Sequence, residues 1–72
     1  DVVSEVEDVN ITKMRILLML RENMNINVVD MIRKYQKQLD VMFQQPHTEE
    51  DAEWITAEHL WAEKLLERIY LN

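Results

Sequence analysis

The chain has 72 residues, with 14 acidic against 8 basic side chains, a net charge of −6, one proline, and neither cysteine nor glycine. A chain this short forms one domain and buries only about 60% of its unfolded surface, so disulfides, a metal or a partner chain usually support it. Without cysteine, disulfides, thiolate catalysis and cysteine-zinc sites are excluded, and His47 and His59 are too few to hold zinc by themselves, which leaves a partner chain as the expected support.

Nucleotide-binding loops, nucleophile motifs and dinucleotide fingerprints all need glycines that this chain lacks, so neither an enzyme nor a bound cofactor is expected. The longest apolar run, Ile16 to Leu20, is far short of the roughly 20 residues that cross a bilayer, so no membrane partner is expected. No signal peptide is legible, and with the missing cysteines this predicts an intracellular, cytoplasmic protein. The chain starts at Asp1 rather than methionine and reads as a segment of a longer one.

Without glycine, and with Pro46 as the only proline, tight hairpins are hard to build, so the reading is all-α. Residues 1–10 carry Asp1, Glu5, Glu7 and Asp8 without a cation, and form either a disordered lead or an extension of the first helix. That helix is predicted over about Thr12 to Asn23, with Asn10 as its N-cap; an earlier start is offered by the capping-box spacing of Ser4 and Glu7. At about 100° per residue, Met14, Ile16, Leu17, Leu18, Met19 and Leu20 cover almost its whole circumference. Such a helix needs cover on nearly every side.

Asn23 to Asn27 reads as a turn, because asparagine tolerates the left-handed conformation that ends a helix and can also cap the next one. A second helix follows over about Val28 to Gln45. Its apolar stripe is Val28, Met31, Ile32, Tyr35, Leu39, Met42 and Phe43, with Val41 a lone exposed apolar residue. Pro46 ends it, and Thr48 caps a third helix, to about Tyr70, whose first turn is Glu49, Glu50 and Asp51. Trp54, Ile55, Trp61, Ala62, Leu65, Leu66 and Ile69 form its apolar arc. Three helices with short turns predict a bundle or an orthogonal arrangement, in dimeric form.

Met14, Ile16, Leu17, Met19 and Leu20 are the candidate self-association surface, since two further helices with one apolar face each cannot cover the first completely. Methionine suits adaptable binding surfaces, and equally fills cores. Trp54, Trp61 and Glu58 are candidate hot spots for a partner, the two tryptophans reading otherwise as core anchors. Glu58 falls inside the apolar arc, so it must be ion-paired, sit at a wet rim, or serve a pH-sensitive contact. His59 and Glu63, one turn apart, read as an exposed pair rather than metal ligands. Arg33, Lys34 and Lys37 form a basic patch opposite the apolar stripe, for nucleic acid or an acidic partner, or simply a solvated face.

Ile16 to Glu22 followed by Val28 to Ile32 resembles the helices after the wing in MerR-type regulators, over about a third of the chain. The turn lacks the glycine usual there and no winged segment precedes it, so no residue role is carried over. The function expected is a homodimerising helical interaction module, binding itself or another protein. A small helix-turn-helix-like nucleic-acid-binding or regulatory domain is the alternative.

Overall fold

A computed structural model describes residues 2–71, which form three helices, α1 (Val2–Arg21), α2 (Asn25–Gln44) and α3 (Glu49–Leu71), and no strand. Helices of 20, 20 and 23 residues are about 30–35 Å long. The molecule measures 37 × 21 × 14 Å, so all three must lie side by side along its long axis. This is an up-down-up bundle rather than an orthogonal arrangement.

The bundle is organised on α2. Val28, Ile32, Tyr35, Leu39 and Met42 step by fours and threes, which keeps them on one side, and all five are buried. Against this seam α1 sets Val9, Thr12 and Ile16, and α3 sets Ile55 and Ala62. Phe43, expected in the same stripe, lies instead on its edge and is exposed, tilted over the His47 ring at 4.7 Å between centroids. Helices α1 and α3 each pack along α2, but among the described residues no Cα of α1 comes within 8 Å of a Cα of α3. The bundle is open on that side.

The first helix begins at Val2, well before Thr12, so Asn10 is not a cap and Ser4 lies within the helical backbone. Extending a helix is far cheaper than starting one. Here the extension also places Val9 and Val6 against the core, about one and two turns ahead of Thr12. The buried Thr12 hydroxyl donates to the Asp8 carbonyl (3.0 Å), so no polar group is stranded there.

At the other end of α1, Asn23 adopts φ 60°. The Asn23 N–H donates to the Leu20 carbonyl (3.2 Å) and the Met24 N–H to Met19 (2.9 Å), the paired bonds of a Schellman C-cap. Chain reversal is then complete within Glu22 to Met24, and α2 starts at Asn25 rather than Val28. Its N-cap is Met24, with no side-chain capping bond, so the expected asparagine cap is not used.

Thr48 does cap α3. Its Oγ1 accepts the Asp51 N–H (3.1 Å), while Asp51 Oδ2 accepts the Thr48 N–H (3.3 Å). Asp51 Oδ1 also accepts from the Trp54 indole (3.2 Å). The Trp54 bond first, and the Thr48 amide next, hold the Asp51 carboxyl below its ordinary range. Thr48→Ala should cost about 1 kcal/mol of stability. Urea unfolding checks it: the midpoint should fall with the slope unchanged, because the surface exposed on unfolding is the same.

Candidate functional site

The five residues expected to form one surface on α1 are divided by the fold. Ile16 is fully buried against α2 and cannot line a surface of the folded chain. Met19 and Leu20 are half-buried, packed against the core at the end of the helix. Met14 and Leu17 are exposed, by 70% and 50%, and two neighbours join them: Ile11 at 54% and Leu18 at 55%. Ile11, Met14 and Leu18 are spaced three and four apart, which puts them on one side of the helix, with Leu17 beside Met14. That side lies opposite Val9, Thr12 and Ile16.

Helix α1 therefore has an inner apolar face that makes the core and an outer one that none of the described residues covers. Exposed apolar clusters with charged rims are the usual mark of an association surface. Ile11 and Leu18 were absent from the sequence-derived set because a helix starting at Thr12 has no defined inner face. Once Val6 and Val9 extend that face, steps of 100° place Ile11, Met14 and Leu18 outward.

Across the open side of the bundle, long side chains link α1 and α3. Lys13 Nζ lies 2.7 Å from Glu58 Oε1, and the same oxygen accepts the Tyr35 hydroxyl at 2.5 Å. Lys13 also sits over the Trp61 ring, 4.9 Å from its centroid, and Trp61 meets Tyr35 edge to face at 5.8 Å and 82°. One carboxylate oxygen thus gathers groups from all three helices. Burial alone would raise the Glu58 carboxyl, but the bonds from Lys13 and Tyr35 outweigh it and leave it below its ordinary value. Burial first, and then the hydrogen bond to Glu58 and its charge, push the Tyr35 hydroxyl well above its ordinary value. Glu58 is accordingly ion-paired. Among the described residues no second carboxylate or histidine bonds to it.

Trp54 and Trp61 are both half-buried and packed against the core cluster. His59 bonds not to Glu63 but to Asp40, with Nε2 at 2.8 Å from Oδ1, tying α3 to α2. Among the described residues no group of three or more histidine or carboxylate side chains converges as a metal site would need, and no helix is long and apolar enough to cross a membrane.

Arg33, Lys34 and Lys37 are all exposed on α2. Arg33 donates to the Tyr70 hydroxyl (3.0 Å), a bond that raises its already high pKa. Lys34 and Lys37 line a groove of about 480 Å³ between α1 and α2, together with Glu5, Asp8, Val9, Gln38 and Val41. Two carboxylates of the acidic first segment therefore stand beside these lysines. Comparison with protein-family models, with curated proteins and with solved structures found no match.

Glu58→Gln should cost about 1–3 kcal/mol, because Lys13 and Tyr35 lose a charged acceptor in a half-buried place. Since the Glu58 pKa is lowered by folding, its contribution is full above the ordinary value of 4.5 and is lost as pH falls through the lower folded value. Stability measured in urea from pH 6 downward should thus fall less steeply in the variant than in the parent. Equal slopes would mean that the contact contributes nothing.

Proposed function

We propose that this chain is a self-association module, and that its contact surface is the outer face of α1. The observation that carries the reading is the pair of opposed apolar faces on that helix. Val9 and Ile16 are buried in the core, while Ile11, Met14, Leu17 and Leu18 are each at least half exposed on the other side. Burial is worth about 25 cal/mol per Å² of apolar surface, so covering four such side chains on each of two copies favours association by several kcal/mol. A second copy presents the same patch, and two-fold pairing is the commonest way for a chain to cover it. The carboxylates of Glu5 and Asp8 beside Lys34 and Lys37 favour this reading over nucleic-acid binding, which draws on a continuous field of positive charge.

Light scattering over a concentration series should give a dimer mass at micromolar concentration. Met14→Glu and Leu18→Glu should each lower the mass to that of a monomer while circular dichroism stays helical, because both side chains lie outside the core. Ile16→Glu should instead unfold the chain, since it puts a charge into the packed interior. A parent chain that stays monomeric and soluble at millimolar concentration would overturn the reading.

A further inference from the structure

The outer face of α1 has a polarity that selects how two copies meet. Glu7, Met14 and Arg21 are spaced by seven residues, close to two helical turns, so they lie nearly in line along the helix over about 21 Å. All three are exposed, with Ile11, Leu17 and Leu18 flanking Met14. The line therefore reads acid, methionine, base, with the apolar patch in its middle third. Among the described residues neither Glu7 nor Arg21 has an ion-pair partner, the ion pairs there being Lys13 with Glu58 and His59 with Asp40.

Resting on the proposed self-association, we infer that the second copy lies antiparallel, with α1 crossing α1 at Met14. In that register Met14 meets Met14 on the two-fold axis, and Ile11 of each copy meets Leu18 of the other, which lies on the same flank of the line. Glu7 of each copy reaches Arg21 of the other, and the symmetry makes that contact twice. A parallel pair in register would bring Glu7 against Glu7 and Arg21 against Arg21. Like charges at both ends disfavour that arrangement. The seven-residue spacing is the seam repeat of packed helices, in which side chains at one position interlock along the line. The occupant is thus a second copy of this chain, in one orientation and one register.

Charge reversal tests orientation. Glu7→Arg and Arg21→Glu should each weaken the dimer about tenfold, since each turns two attractive contacts into repulsive ones. The double variant should return close to the parent affinity. In a parallel dimer neither single change reverses a contact between unlike charges, and the double change restores nothing. The register is tested with cysteines, which the chain otherwise lacks. Met14→Cys should form a disulfide dimer on mild oxidation at micromolar concentration. Glu7→Cys alone should not, while Glu7→Cys mixed with Arg21→Cys should cross-link. A parent dimer whose Glu7→Cys variant cross-links to itself, or whose double charge variant stays weak, overturns this geometry and leaves self-association standing. A monomeric parent overturns both.

Discussion

Helix α2 is the one element along which both of the others pack, and its buried seam from Val28 to Met42 is the surface on which the bundle is built. A single seam can organise two neighbouring helices only if each gives it one face. Helix α3 does so with Ile55 and Ala62 at the centre and Trp54, Trp61, Leu65 and Ile69 around them. Helix α1 has apolar side chains on more than one face, so packing on α2 leaves part of its apolar surface in solvent. Because α1 and α3 do not approach at backbone distance, the third helix cannot wrap round to cover it.

The open side between α1 and α3 is closed by polar and aromatic side chains rather than by helix packing. Lys13, long enough to bridge the gap, sets its ammonium between the Glu58 carboxylate and the Trp61 ring, and Tyr35 reaches the same oxygen from α2. A half-buried carboxylate with two donors is stable as an anion, and breaking either contact would leave a charge short of solvation. This node links the outer helices to each other and, through Tyr35, to α2.

Charge is arranged around the same geometry. The acidic first segment becomes the first half of α1 and places Glu5 and Asp8 beside Lys34 and Lys37. Segments that looked acidic and basic in linear order are thus neighbours in space, and the groove between them is mixed rather than basic. The outer line of α1 has an acid near one end and a base near the other, a pattern that distinguishes the two ways of laying a second copy against it.

The chain by itself determined the helical class, the α2 seam and the stop signals. Absent glycines leave few alternatives to helix, a four-three rhythm specifies one buried side, and Asn23 and Thr48 mark a helix end and a helix start through their own backbone chemistry. It also singled out Glu58 as a residue needing a partner, because its place on the wheel is set by local geometry alone. Which residue would be that partner was not legible. Lys13 is on another helix, and its approach depends on how far α1 and α3 stand apart. The same holds for the outer face of α1. A helix apolar around most of its circumference carries no internal mark of which side faces inward, so the sequence could not place Ile16 in the core or Ile11 and Leu18 outside it. Only packing against α2 decided that, through the extension of α1 back to Val2 and the burial of Val9 and Thr12 ahead of Ile16.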